Sequence, residues 1–174
     1  MMQTFVLDPD TSGFNELLER RRRAGADRFD EVWEGVLHMA PAPSGEHADL
    51  SQQLAELLGA PARAAGFFPT MAEFNLGEAE YDYRIPDGGV HRERPRGVWH
   101  STAAMVVEIC SPGDETWAKL PYYAAHRVDE VLIVDPQERQ IHWLALEAGE
   151  YRATERSGLM DLGPAELAGD IDWP

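Results

Sequence analysis

The feature that most restricts the fold of this chain is the run AAMVVEIC, residues 103–110, because its apolar side chains do not alternate with polar ones. Such a run is typical of a central strand that is buried on both faces. One acid, Glu108, interrupts it. A carboxylate in this setting is costly unless it is ion-paired, hydrogen-bonded or bound to a cation. Glu108 is therefore either a candidate site residue or a member of a salt bridge or an edge position.

Further strands and hairpins are predicted on both sides of this run. The segment RFDEVWEGVLHMAPAP predicts a hairpin with a turn near Glu34 and Gly35, and QIHWLALEAGEYRATE predicts a hairpin about Ala148 and Gly149. Strand patterns also occur in GFFPTMAEFNL, YDYRIPDGGVHRE and DEVLIVDP.

Three segments predict helices. FNELLERRRRAG is a short helix closed by Gly25, and SPGDETWAKLPYYAAHR is a turn that leads into a helix. Between them, Ser44 is the expected N-cap of a longer helix to about Ala65, which Pro61 is expected to end early or kink. Its leucines share one helical face: Leu50, Leu54, Leu57 and Leu58. This order of elements predicts an α/β or α+β fold with a mixed sheet.

The length of 174 residues favours one domain that spans residues 1–174. No apolar run approaches the length of a membrane span. The N-terminal MMQTFVLDPD has no basic region followed by an apolar core, so no secretion signal is expected. The lone cysteine, Cys110, excludes an internal disulfide, and a cytoplasmic location is predicted.

The charge of the chain is strongly negative. Fifteen basic residues stand against 31 acidic ones, which gives a net charge of −16 and disfavours nucleic acid as a partner unless local charge overcomes it. Lys119 is the only lysine; every other basic residue of these two types is arginine. An ammonium is a compact charge on a flexible stem, whereas a guanidinium is a wide planar fork. Lys119 is therefore either an ordinary solvated residue or a position where that difference matters.

Two further acids occupy unusual positions. Asp87 lies in YRIPDGGV at the mouth of a predicted strand, where proline, aspartate and glycine also fit an ordinary turn. Glu46 lies one turn before Leu50 on the apolar face of the long helix, and is predicted to point inward toward the same site as Asp87. Its alternative role is to interact with the helix dipole in the first turn.

A pair of carboxylates with one lysine matches the chemistry of phosphate-ester hydrolysis. Mg²⁺ is held by one or two carboxylates, and water and substrate phosphate complete its coordination. The metal acidifies a bound water and neutralises charge on the phosphate, while a nearby ammonium orients the nucleophile or stabilises the transition state.

Four segments carry a resemblance to a known family: FDEVWEGVLHMAPAPSGEH, YRIPDGGV, MVVEICSPGDETWAKLPYYAAHRVDEVLIVDP and IHWL. Together they resemble the PD-(D/E)XK, restriction-endonuclease-like superfamily and, within it, the bacterial endonuclease family called Uma-two. They span most of the chain in the family's order. The resemblance implies a central mixed sheet flanked by helices, here with an additional N-terminal helix and hairpin.

The resemblance also implies roles for individual residues. Asp87, from the PD pair, and Glu108 would bind Mg²⁺ or Mn²⁺, and Glu46 matches a helix acid that assists the metal site. The superfamily's usual lysine position holds Cys110 here, so the catalytic lysine is implied to be Lys119. Pro121 then requires that the next helix either begins close to Lys119 or kinks there.

The leading functional hypothesis is a metal-dependent endonuclease that acts on DNA. Arg92, Arg94 and Arg96 are predicted to form a positive loop that flanks the site and contacts DNA. An alternative hypothesis is a non-catalytic dimeric interaction module that retains the nuclease fold, which the acidic charge favours. A third is a metal hydrolase with a smaller phosphorylated substrate.

Overall fold

The protein is described by a computed structural model that covers residues 3–4, 12–113 and 115–174. Its helices are α1 (Ser12–Ala24), α2 (Gly45–Ala64), α3 (Leu120–Ala125) and α4 (Pro164–Asp170). Its strands are β1 (Gln3–Thr4), β2 (Glu31–Trp33), β3 (Val36–Met39), β4 (Phe68–Thr70), β5 (Asn75–Ala79), β6 (Asp82–Arg84), β7 (Gly88–His91), β8 (Trp99–His100), β9 (Met105–Ile109), β10 (Glu130–Asp135), β11 (Gln140–Glu147) and β12 (Glu150–Ala153).

The strands of the described residues form two mixed sheets of six strands each. The first has the order β1-β3-β2-β6-β5-β8, and the second has the order β12-β11-β10-β9-β7-β4. Each contains one parallel pair, β5 with β8 and β9 with β10, while the other pairs are antiparallel. The predicted fold class, a mixed α/β structure with helices against the sheet, is confirmed. The prediction placed the strands in one central sheet, however, and the structure has two.

Strand β9 is the centre of the packing, as its apolar run predicts, because all five of its residues are buried. Met105, Val107 and Ile109 belong to an apolar cluster with the leucine face of α2. Val106 belongs to a second cluster with Tyr123 of α3 and with residues of β10. Successive side chains of a strand point to opposite faces, so Glu108 shares the face of Val106.

The long helix has the predicted start and ends close to the predicted Ala65, with Pro61 inside it. The Ser44 side chain accepts a hydrogen bond from the His47 N–H at 3.2 Å, which is the expected N-cap. The helix continues past Pro61 to Ala64, so the expectation that Pro61 ends it early is wrong. A 3₁₀ turn over Thr116–Lys119 leads directly into α3.

Strand β7 explains why two glycines follow Asp87. A Cβ added at Gly89 would lie 2.8 Å from the Phe74 ring and 3.1 Å from the Met105 carbonyl oxygen. A Cβ added at Gly88 would meet the flexible end of Met71 and, at 3.0 Å, the Thr70 carbonyl oxygen. The glycines therefore allow β7 to lie close to its neighbours.

We expect Gly89→Ala to destabilise the protein, because Cβ would press on a ring and on the backbone of a buried strand. Overpacking of this kind costs about 1–3 kcal/mol. The free energy of unfolding in urea measures the effect. Gly97→Ala is not a suitable control because Gly97 has a positive φ of 74°, whereas Gly45 has open space around it and serves as one. Equal stabilities of Gly89→Ala and Gly45→Ala would contradict the packing argument.

Within the described part of the chain, none of the helices combines the length and the apolar character needed to cross a bilayer.

Candidate active site

The register of β7 against β9 brings Asp87 and Glu108 together. In this antiparallel pair Gly88 lies opposite Val107 and Gly89 opposite Val106. One further step in the same register places Asp87 opposite Glu108, and residues directly opposite in an antiparallel pair share a face of the sheet. The two carboxylates predicted to converge therefore do lie side by side, and both line one cavity of about 410 Å³.

Asp87 is held by two hydrogen bonds. Its Oδ2 accepts the Ile109 N–H at 2.7 Å, and its Oδ1 lies 3.0 Å from His47 Nε2. Burial lowers the pKa of His47, but the hydrogen bond and the charge of Asp87 outweigh burial and raise that pKa overall. About 21% of the Asp87 side chain remains exposed, which leaves it accessible from the cavity.

Glu108 and Lys119 form a buried pair. The Lys119 ammonium lies 3.1 Å from both carboxylate oxygens of Glu108, and the Tyr123 hydroxyl donates to Glu108 Oε1. Burial raises the pKa of Glu108 to about 8, although Lys119 opposes that change. Burial disfavours the charge on Lys119 too, but Glu108 and then Glu31 outweigh it and raise the pKa of Lys119 above its usual range.

Pro121 does not prevent Lys119 from reaching the cavity. It lies in the first turn of α3, where a proline has no hydrogen bond to lose. The sequence left two possibilities, a helix that begins close to Lys119 or a kink there. The structure shows that the helix begins close to Lys119. The ammonium reaches Glu108 although the two residues are 11 positions apart in the chain.

Glu31 is a site residue that sequence reasoning missed. Its carboxylate lies 3.0 Å from the Lys119 ammonium, although Glu31 belongs to β2 in the other sheet. It is buried and also lines the cavity. Glu108 could be recognised from the sequence because it interrupts a continuous apolar run, and Glu31 does not. Glu31 lies among Asp30, Val32 and Glu34, so it resembles the polar member of an ordinary alternating strand.

The cavity wall is rich in ionisable groups. A second histidine, His38, lies cross-strand from Glu31, and its Nδ1 is 2.8 Å from Glu115 Oε2. Its ring stacks on Trp33 with centroids 4.1 Å apart. The carboxylates that line the cavity are Glu31, Glu46, Glu73, Asp87, Glu108 and Glu115.

The orientation predicted for Glu46 is wrong. Glu46 lies at the margin of the cavity but is exposed, whereas Leu50 and Leu54 are fully buried. The first turn of α2 precedes the part of the helix that packs in the apolar cluster, so its apolar face does not extend to Glu46. The next residue, His47, is turned about 100° around the helix axis and makes the contact with Asp87 instead.

The predicted positive loop does not flank the cavity. Arg92, Arg94 and Arg96 are exposed and follow the opposite end of β7 from Asp87. Five residues of extended chain span roughly 16 Å, and Arg92 pairs there with Asp129. Proximity in sequence to Asp87 was misleading because the intervening residues form a strand. Contact of these arginines with DNA stays a prediction.

The carboxylates of the cavity fit a hard divalent cation for which the protein supplies only part of the coordination shell. Among the residues that the structure describes, no group of three or more His, Cys, Asp or Glu side chains is arranged to hold a metal. Two adjacent carboxylates, Asp87 and Glu108, are the number that Mg²⁺ commonly uses when water and phosphate oxygens supply the rest. A cation at Glu108 would have to compete with Lys119 for the carboxylate.

Comparison with known proteins agrees with this fold. A crystal structure described as “a putative nuclease belonging to DUF820” from Anabaena variabilis ATCC 29413 superposes with a TM-score of 0.60. The two chains are 14% identical, and the match covers 81% of this chain and 90% of that one. At this identity the likeness shows a shared fold. No curated protein matches this chain significantly.

The family model of Uma2, described as “Putative restriction endonuclease”, matches residues 14–169. The chain therefore belongs to the Uma2 family, as its sequence segments predict.

Proposed function

We propose that this protein is a metal-dependent endonuclease that hydrolyses phosphodiester bonds of DNA in the cavity between its two sheets. The observation that carries the proposal is the convergence of Asp87, Glu108 and Lys119, which come from a strand mouth, a buried strand and a helix start. Membership of the Uma2 family, described as “Putative restriction endonuclease”, and the likeness to a protein described as “a putative nuclease” support the same class of reaction.

Asp87 and Glu108 are the proposed ligands of Mg²⁺ or Mn²⁺. When bound, such an ion polarises the phosphate and lowers the pKa of a coordinated water. Asp87 is positioned for this by the Ile109 N–H, and Glu108 by the Tyr123 hydroxyl. These hydrogen bonds hold each carboxylate in a defined orientation, and an ion at Glu108 would take the place of the Lys119 ammonium there.

Lys119 supplies the charge that acts on the phosphate. Its ammonium lies in a buried site, where a preorganised donor stabilises developing negative charge more strongly than it would in water. Its compact charge can move between neighbouring oxygens in a way that a planar guanidinium cannot. This explains why the only lysine of the chain lies here.

The net charge of −16 favours the alternative, a non-catalytic interaction module that forms dimers. A salt titration of DNA binding separates the two proposals. For an endonuclease we expect affinity for a short DNA duplex, with Ca²⁺ present, to fall steeply as salt rises, because phosphate contacts release counterions. Absence of binding at low salt, together with a dimer in analytical ultracentrifugation, would favour the interaction module.

We expect binding of Mg²⁺ to release a proton below about pH 8. Burial raises the pKa of Glu108, so its carboxyl takes up a proton more readily as the pH falls, and a bound cation favours the charged form. Apparent affinity should therefore rise from pH 6 to pH 8, by up to about tenfold per pH unit, and level off above. Calorimetry in two buffers of different ionisation enthalpy counts the protons.

Asp87 raises the pKa of His47, which contacts this proposed ligand directly, so His47→Gln is the matched variant for that experiment. Proton release that persists in His47→Gln assigns the proton to Glu108. An affinity that does not change between pH 6 and pH 8 would contradict the prediction.

A further inference from the structure

Glu31 joins the two sheets at the cavity and contacts the proposed catalytic lysine. We propose that Glu31 is a positioning residue that holds the Lys119 ammonium in place independently of Glu108, so that Glu108 is free to bind a cation. This inference rests on the proposed function, which it deepens by assigning separate partners to the lysine and to the metal.

The contacts of Glu31 show a carboxylate that is held rigidly. Its Oε1 accepts the Ile85 N–H at 2.7 Å and lies 3.0 Å from the Lys119 ammonium. Its Oε2 accepts the Trp33 indole N–H at 2.6 Å. Only 5% of the residue is exposed. A buried carboxylate with this number of donors is fixed in orientation before any ligand binds.

The balance of charge explains why a third carboxylate is needed. Asp87 and Glu108 together carry the two negative charges that match a divalent cation. If they bind it, Lys119 loses its partner Glu108 and faces a like charge at close range. Glu31 supplies one further negative charge, which matches the single charge of Lys119. A buried ammonium without such a partner would be strongly unfavourable.

Glu31 also acts on the segment that carries Asp87. The Ile85 N–H that it accepts lies two residues before Asp87. One carboxylate of the first sheet therefore positions both the lysine and the strand mouth of the second sheet. A purely structural role, in which Glu31 only joins β2 to Ile85, predicts no effect that depends on Lys119.

The only lysine of the chain makes the proposal testable without any assay of cleavage. In protein labelled with ¹⁵N-lysine, the single side-chain ammonium signal reports directly on Lys119. In metal-free Glu31→Gln we expect its hydrogen exchange to accelerate by about tenfold or more, as loss of one charge-assisted hydrogen bond predicts. Glu73→Gln is the matched control, because Glu73 lines the same cavity and pairs only loosely with Arg28, at 3.7 Å. Unchanged exchange in Glu31→Gln would overturn the proposal.

A second measurement uses Mg²⁺ alone. Without Glu31 the ammonium depends on Glu108, so the affinity of Glu31→Gln for Mg²⁺ should fall by about tenfold, the smallest loss usual for an outer partner of a metal site. Adding Lys119→Met to Glu31→Gln should restore that affinity, because the competing ammonium is gone. An equally weak double variant would show that Glu31 acts only on the fold.

The two measurements separate this inference from the proposed function. If the wild type neither binds Mg²⁺ nor cleaves DNA, the proposed function fails, while ammonium exchange still decides the role of Glu31. Should Glu31→Gln fail to fold, the double variant decides. Folding restored by Lys119→Met supports the proposal, and failure of both variants to fold overturns it.

Discussion

Lys119→Ala is expected to lower the rate of DNA cleavage by about 10²-fold or more, comparable to the loss of one charge-stabilising donor in an active site. The ammonium lies 3.1 Å from both oxygens of Glu108 and 3.0 Å from Glu31, at the base of the cavity. Binding of Mg²⁺ should be retained, because the ion replaces the positive charge that Glu108 loses. Initial rates on a fluorescent duplex and calorimetry with Mg²⁺ measure the two effects.

Two further variants separate charge from packing. Lys119→Arg should rescue cleavage poorly, because a planar fork does not fit where a compact ammonium contacts two carboxylates. Lys119→Met keeps most of the stem and removes the charge. In metal-free protein both Lys119→Ala and Lys119→Met leave buried carboxylates without a cation, so we expect a loss of stability of about 3–5 kcal/mol in urea. Cleavage that survives Lys119→Ala unchanged would exclude Lys119 from the reaction.

Asp87→Asn is expected to weaken Mg²⁺ binding by at least about 10²-fold. Loss of a residue that only orients a metal ligand lowers the affinity for the metal roughly 10–100-fold, and loss of a ligand itself should lower it at least as much. The amide still provides an oxygen that can accept the Ile109 N–H, so the fold should be little affected. Calorimetric titration of both proteins, with urea unfolding as the check on stability, measures the difference.

The control for Asp87→Asn is Asp49→Asn, which makes the same chemical change on the exposed surface of α2, outside the cavity. Its affinity for Mg²⁺ should equal that of the wild type. Equal affinities of all three proteins would show that the ion binds elsewhere or only through nonspecific attraction to an acidic chain.

The sequence was most informative where local pattern and burial agree. The unbroken apolar run around Glu108 predicted a strand buried on both faces, because only a central position tolerates such a run. The N-cap at Ser44 and the hairpin turns were also predictable, since each depends on a few adjacent residues. Asp87, Glu108 and Lys119 were selected correctly as neighbours in space, by chemistry and by resemblance to a family.

Features set by long-range packing were not predictable in the same way. Glu31 reaches Lys119 only because the first sheet folds against the second, and nothing in its own segment indicates that contact. The inward orientation predicted for Glu46 is wrong, and its neighbour His47 contacts Asp87 instead, because a helix turns about 100° per residue and its first turn extends beyond the apolar cluster. Helix α4 was not predicted at all.

The position of the arginines shows the same limit. Arg92, Arg94 and Arg96 are near Asp87 in sequence, but β7 carries them to the opposite end of the strand. Among the described residues that line the cavity, the basic side chains are Lys119, His38 and His47, and the proposed cation would supply further positive charge.

The most direct test of this account is cleavage of a supercoiled plasmid with Mg²⁺ or Mn²⁺, with the wild type compared to Glu108→Gln. The account predicts that the wild type converts the plasmid to nicked and linear forms, that EDTA abolishes the conversion, and that Glu108→Gln leaves the plasmid intact at equal protein concentration. A plasmid left intact by the wild type with either metal, or cut equally fast by Glu108→Gln, would contradict it.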